Sequence, residues 1–460
     1  MKDKMSIDMT HGPLFGKILL FSLPLMASNI LQLLFNAADT VVVGRFCGSA
    51  SLAALGSTVS LIFLVINILI GLSIGVNVAV ARYLGLGDSR KEISLMLHTS
   101  ILVALIGGAV LGCLGAIASE WMLRLISVPD DVLPLATVYL RVYFLGTPFN
   151  MLYNYGAAAL RAKGDTRRPL IFLTISGIIN VVLNLFFVIA FNMDVLGVAL
   201  ATIISQAISG FLVLACMARS DDELHFSWKQ LCFHVPSFLE MVRIGVPAGI
   251  QASLFSLANV TIQGAINSYN SVILAGSSAS SNLEGFVYNA MYAFHVTCQT
   301  FTSQNIGAGR YDRIARIVRT CIICVLVLGA GMAAIAILFA DPLLSIYTSD
   351  PDVIAAGAYR LVIMVVPYAI YGMADVLVGA IRGSGVPIAP VIINLLCTCV
   401  TRILWVSVLD TSTHGVQWVY YAFPVTWVLL FTVLSAFWAH MCYRNRDKRD
   451  AAKLKYQEEG

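Results

Sequence analysis

Charge is scarce in this chain of 460 residues: Asp, Glu, Lys and Arg together make up 12% of it, about half the share usual in soluble domains. A water-facing globule of this length needs more polar surface than that supplies, so a soluble enzyme and a disordered chain are both excluded. The ten cysteines form no extracellular framework. Most lie inside apolar runs, and Cys321 and Cys324, a C-x-x-C, read as two small hydrophobes of one helix. The phosphate-cradling G-x-x-x-x-G-K-[ST] is missing, as are H-E-x-x-H, G-x-S-x-G and paired Cys/His metal spacing. Gly85-Leu86-Gly87 is an isolated fragment rather than a dinucleotide fingerprint. A net charge of +4 gives no electrostatic case for a nucleic-acid partner. The residues therefore spell no enzyme and no organic cofactor. Uphill work by such a chain would draw on an ion gradient.

Hydrophobic residues are what the chain has in plenty, at 58% with a mean hydropathy of +0.84. A helix needs about 20 apolar residues to cross a hydrocarbon core. Twelve stretches meet that length: 14–36, 54–80, 93–117, 132–153, 168–190, 195–217, 239–263, 280–303, 315–339, 357–379, 387–409 and 416–441. The first is too long for the core of a secretory leader and reads as a span. The expected fold is all-α and integral to the membrane, twelve helices in two six-helix bundles related by a pseudo-twofold axis. An N-terminal lobe (1–217) and a C-terminal lobe (239–441) are joined by a polar cytoplasmic linker (218–238), and a basic tail (442–460) follows. With both termini cytoplasmic, every Lys and Arg except Arg45, Arg124, Arg141, Arg360 and Arg402 falls on the cytoplasmic side, as basic loops do.

The two halves repeat landmarks in register. Pro24 precedes Gly85 much as Pro247 precedes Gly307, and Arg141 precedes Pro148 as Arg360 precedes Pro367. R-x-x-G-x-x-x-x-P occurs as Arg161, Gly164 and Pro169, and again as Arg382, Gly385 and Pro390. Duplication with an even number of spans per half points to a transporter whose site lies between the halves.

Polar residues inside spans are the candidate site, because a charge at mid-membrane costs roughly 2.5–3.5 kcal/mol. Gln32, Asn36 and Asp39 make one helical stripe, and Tyr143, Thr147, Asn150 and Asn154 another. Asn180 and Asn184 follow the same spacing, with Thr202 in the next span. Together they describe a cavity with one carboxylate among amides and hydroxyls. In the second half, Glu284, Tyr288, Met291 and His295 share a face, as do Tyr368, Tyr371 and Asp375. Asp375 holds the repeat position of Asn154. A buried carboxylate exchanges protons near neutral pH, or with oxygen ligands holds Na⁺. Plainer readings compete: Asp39 pairing with Arg45, Asp375 with Arg382, His295 and the asparagines serving only to pack helices. Glu284 has no obvious local cation. Tyr288, Tyr292, Tyr368 and Tyr371 would form a wall for flat cations. Pro24 removes a backbone bond and marks a hinge in the first helix.

The stretches SLPLMASNILQLLFNAADTVVVGRF, RAKGDTRRP, GIINVVLNLFF and NLEGFVYNAMYAFHVTCQTFTSQNIGAGR resemble the MATE (multidrug and toxic compound extrusion) family over essentially the whole chain. The resemblance implies an antiporter of the cell membrane that exports organic, cationic or amphipathic compounds against entering H⁺ or Na⁺. It implies an ion site at Asp39, Asn180, Asn184 and Thr202, with any Na⁺ at Asp39, and it places Gln32 and Asn154 at the cavity. Related members often carry an aspartate where this chain has Asn184. That departure tilts the expectation toward protons, or toward Glu284 and Asp375. The expected partners are small molecules and the bilayer, and the expected state is a monomer. A lipid-linked saccharide flippase is the rival reading. It calls for a basic cavity, whereas the intramembrane charges of this chain read as mostly acidic.

Overall fold

The computed structural model describes residues 5–87, 89–408 and 415–458. Lys2 and Lys4, counted above as cytoplasmic, lie outside the described residues, as does the end of the tail (459–460). The described residues are predominantly helical, with no strand among them. Twelve helical segments follow one another: α1 Leu14–Phe46, α2 Ser49–Leu86, α3 Arg90–Leu125, α4 133–162, α5 Arg167–Ala190, α6 Asp194–Ala218, α7 Val235–Ile266, α8 Ser271–Gly307, α9 Tyr311–Leu338, α10 Pro351–Gly383, α11 Ile388–Val408 and α12 Gln417–Arg444. A polar helix, α13 (Arg446–Glu458), closes the chain.

Ten of the twelve are long and apolar enough to cross a membrane. The other two are α4 and α8. In α4 the helix breaks at Gly146, where Pro148 has no N–H to offer the Phe144 carbonyl. α8 is long, but Ser, Asn, Thr and Gln are spread through it. The protein is a multi-pass membrane protein. Large apolar side chains on its surface, Ile117, Val327 and Leu338 among them, face a solvent that asks for no polar partner.

Helix ends follow local chemistry. The Asn270 Oδ1 accepts from Ile273 N–H at 2.9 Å to start α8, and the Asp350 Oδ1 accepts from Asp352 N–H at 3.0 Å to start α10. Asp165 takes the Arg167 and Arg168 N–H groups, both at 3.1 Å, at the head of α5. The repeat is visible in the backbone. Gly87 and Gly309, and Gly164 and Gly385, occupy matching loops, and all four have positive φ, which a side chain would strain.

The chain forms two compact units that do not coincide with the expected lobes. An N unit comprises 1–8 and 27–249, and a C unit comprises 9–26 and 250–460. The chain changes unit inside α1, just after Pro24, and inside α7, just after Pro247. The segment 218–238, expected to divide the lobes, belongs to the N unit.

In the N unit, α2 and the first half of α7 cross through Gly71 and Gly75 on one helix and Gly245 and Gly249 on the other. A Cβ on Gly71 would fall 2.5 Å from the Gly245 carbonyl oxygen, and one on Gly75 would fall 2.3 Å from that of Met241. Paired small-x-x-x-small faces of this kind let helix backbones touch in a membrane. In the C unit, the first half of α1 is held by Ser22, whose hydroxyl lies 2.8 Å from the Thr297 hydroxyl. Phe21 also packs edge-on against Phe301 there.

Candidate functional site

In the N unit the candidate carboxylate is Asp39, on α1. α1 was expected to end near residue 36, but it continues to Phe46, because the polar residues that end the hydropathy signal still make helical hydrogen bonds. Asp39 therefore lies well inside the helix. Its Oδ1 accepts a hydrogen bond from Asn184 Nδ2 at 2.5 Å, and the same amide reaches Asn180 Oδ1 at 3.3 Å. Asn184 Oδ1 is buried without a hydrogen-bond partner among the described residues. No Lys or Arg of the described residues forms an ion pair with Asp39, so the expected alternative of an Arg45 cap is not what the structure shows.

Gly177 makes the approach of α5 to α1 possible. A Cβ there would fall 1.8 Å from the Phe35 ring, one turn before Asp39. The remaining N-unit candidates are not joined to this pair by hydrogen bonds. The Thr202 hydroxyl donates to its own helix at Val198 O, 3.0 Å away, and Asn154 Nδ2 donates to Asn150 Oδ1 at 3.0 Å. Gln32 and Asn36 are exposed. A carboxylate flanked by amide oxygens offers a site for a proton or a small hard cation.

The C unit is built differently. Glu284, expected to lack a cation, has one: Arg360 Nε reaches Oε1 at 3.0 Å and Nη2 reaches Oε2 at 3.3 Å, with both residues buried. The sequence hid this pair because α8 and α10 bring together residues far apart in the chain. Asp375 forms no ion pair with Arg382 among the described residues. Its Oδ1 is 3.2 Å from His295 Nδ1, which also lies 2.7 Å from the Asp375 carbonyl oxygen. His295 stacks on Tyr292, with centroids 5.0 Å apart.

The four expected tyrosines do gather. Tyr288 lies 5.8 Å from Tyr292 and 5.8 Å from Tyr371, and Tyr371 and Tyr368 both pack on Trp427. Two further arginines are buried here. Arg382 is 4% exposed and donates to Gln251 Oε1 at 2.6 Å. Arg402 is 0% exposed and donates to Asn259 Oδ1 at 2.7 Å. The expectation that intramembrane charge is mostly acidic thus fails in the C unit, where Arg360 and Arg402 are buried alongside Glu284 and the half-buried Asp375.

The MatE family model matches this chain twice, over residues 24–186 and 247–406. The chain belongs to the MATE family. A probable multidrug resistance protein of Bacillus subtilis, YpnP, is 29% identical over 86% of this chain and 88% of its own length. A protein of Shewanella oneidensis named as an FAD transporter is 27% identical over 94% of this chain and 95% of its own. Among solved structures, an outward-facing multidrug resistance MATE transporter superposes with a TM-score of 0.88 at 19% identity, covering 99% of this chain and all of the other. The two family matches begin at Pro24 and at Pro247, so the repeat read from landmarks is the repeat of the MATE family. Sequence reasoning passed over Gly177, Gln251, Asn259 and the buried state of Arg402. Gly177 had a signal, as a lone glycine one turn before Asn180. Asn259 and Gln251 had none, since their role depends on which helix lies opposite.

Proposed function

We propose that this MATE protein exports organic compounds in exchange for a cation, H⁺ or Na⁺, taken up at Asp39. The observation that carries the reading is a carboxylate inside α1 whose partner is a neutral amide, Asn184, rather than a cation. An anion so placed is costly when empty. It is relieved by a proton, or by a cation that also uses the free Asn184 oxygen. Loading would loosen the hold of α5 on α1. Pro24, which deprives α1 of a backbone bond, lies where that helix passes from one unit to the other and is the hinge in this proposal. The cell membrane is the expected site of action, with both termini cytoplasmic on the evidence of the basic loops.

Export from inverted vesicles, with Na⁺ and pH gradients imposed separately, tests the reading. Asp39→Asn should insert normally and lose gradient-driven export of every cargo, cationic or anionic. Wild-type export by that variant refutes the assignment.

A further inference from the structure

Buried positive charge in the C unit exceeds buried negative charge, and the surplus is localised. Glu284 is occupied by Arg360, and Asp375 turns Oδ1 to His295 while its Oδ2 is buried with no hydrogen-bond partner among the described residues. No other carboxylate forms an ion pair with Arg402 or Arg382 among the described residues. Arg402 donates from Nη1 to Asn259 and, at 3.3 Å, from Nε to the Thr426 hydroxyl, and its Nη2 is buried with no acceptor. The guanidinium lies 4.3 Å from the centroid of the Phe423 ring and 5.3 Å from that of Phe255. These rings cover its faces and leave its in-plane N–H groups available. Trp427, packed on the same Phe423 ring, also buries its indole N–H without an acceptor. The Arg382 Nε and the Arg360 Nη1 are further such donors. Packing explains why a cation can sit among aromatic rings. It does not explain buried donors left without protein acceptors, which native structures seldom tolerate.

What Arg402 lacks is an acceptor for Nη2, and no carboxylate of the described residues supplies one. Beside it runs a continuous aromatic surface: Phe255 stacks on Tyr371 at 6.0 Å and 18°, and Tyr371 leads on to Tyr288 and Tyr292. Phe255, Tyr288 and Tyr292 are only half-buried, whereas Tyr371 between them is buried. We propose that the C unit binds a planar organic anion. Its carboxylate or phosphate sits on the free donors of Arg402, and its ring system lies along the Phe255–Tyr371–Tyr288 wall. The inference rests on the exporter reading and names its cargo class. It reverses the charge that a tyrosine wall alone suggests.

Riboflavin and riboflavin 5′-phosphate share one ring system and differ by a phosphate, and ethidium is a planar cation, so the three separate ring from charge. Binding to the purified full-length chain, read by quenching of flavin and tryptophan fluorescence, should favour the phosphate over riboflavin by about tenfold or more. Ethidium should bind more weakly than the phosphate. Arg402→Gln should abolish the preference, weakening binding of the phosphate far more than that of riboflavin, while Arg402→Lys retains part of it. Equal binding of the two flavins by the wild type, or preferential binding of ethidium, overturns the proposal without any variant. So does an equal loss for both flavins in Arg402→Gln, or transbilayer movement of labelled phosphatidylglycerol with no flavin phosphate bound. Anion preference with gradient-driven export intact in Asp39→Asn would sink the coupling role of Asp39 and leave the anion site standing.

Discussion

The two units share a backbone plan and differ in how they handle charge. Matching loops carry matching left-handed glycines, and matching helices carry matching prolines, yet the N unit sets the half-buried Asp39 against amides while the C unit buries a set of ions among rings. Equivalent positions show the divergence directly. Arg141 is exposed and reaches Glu120 at 3.4 Å, whereas Arg360, its counterpart, is sealed against Glu284. Asn154 pairs with Asn150, whereas Asp375, its counterpart, meets His295. Backbone landmarks are fixed by sterics, which both copies must obey. Side chains facing the interior are free to take separate tasks. In this chain the N unit sets Asp39 against an amide, and the C unit leaves donors of Arg402, Arg382 and Trp427 without acceptors among the described residues.

Stability measurements can break that contrast. The largest effect is expected for Arg360→Met, which leaves Glu284 charged and unpaired. Losing one partner of a buried pair costs about 3–5 kcal/mol, read as unfolding in detergent, and adding Glu284→Gln should recover most of it. An unchanged melting point in the single variant would mean the pair is not held. Next comes Gly177→Val, which overfills the contact with Phe35. A cost of about 1–3 kcal/mol is expected, together with weakened gradient coupling, and tight coupling in that variant would remove Gly177 from the account of the Asp39 site. Asp39→Asn strands no cation, so it should move stability by less than about 1 kcal/mol. A loss as large as that of Arg360→Met would erase the difference between the units.

The smallest effect lies outside the spans, at the Asp222–Lys163 ion pair. Burial alone would raise the Asp222 carboxyl, but hydrogen bonds from Lys163, Ser220 and the Leu224 N–H outweigh it and hold the group below its ordinary 3.8. Its contribution is thus complete above that value and fades as pH falls through the lower value of the folded state. With both side chains partly exposed, under about 1 kcal/mol is at stake. Hydrogen exchange in 218–230 should quicken only below about pH 4, and an onset at neutral pH would contradict the assignment.

Hydropathy made the spans legible, since length and apolarity are properties of a single helix. The repeat was legible because prolines and left-handed glycines leave their mark wherever they occur. Partnerships between helices were not. Nothing near Glu284 in the chain announces Arg360, and nothing near Arg402 announces Asn259. The reach of α1 beyond residue 36 was hidden because hydropathy falls where the helix turns polar, although its hydrogen bonding does not. Asp39 and Asn184 were singled out by spacing and resemblance, but their direct hydrogen bond needed Gly177 to be recognised as the place where a ring fits.

The glycine crossing of α2 with α7 has a bearing on how the protein is made. A nascent chain that has reached residue 218 has completed six helices, yet Gly71 and Gly75 still wait for a strip of α7 not yet synthesised. The opening turns of α1, made first, belong to a body whose other parts emerge last. Severing the gene within 218–238 would therefore yield two fragments, each missing a piece held by the other, and neither should reach its native form until both are present in the same bilayer.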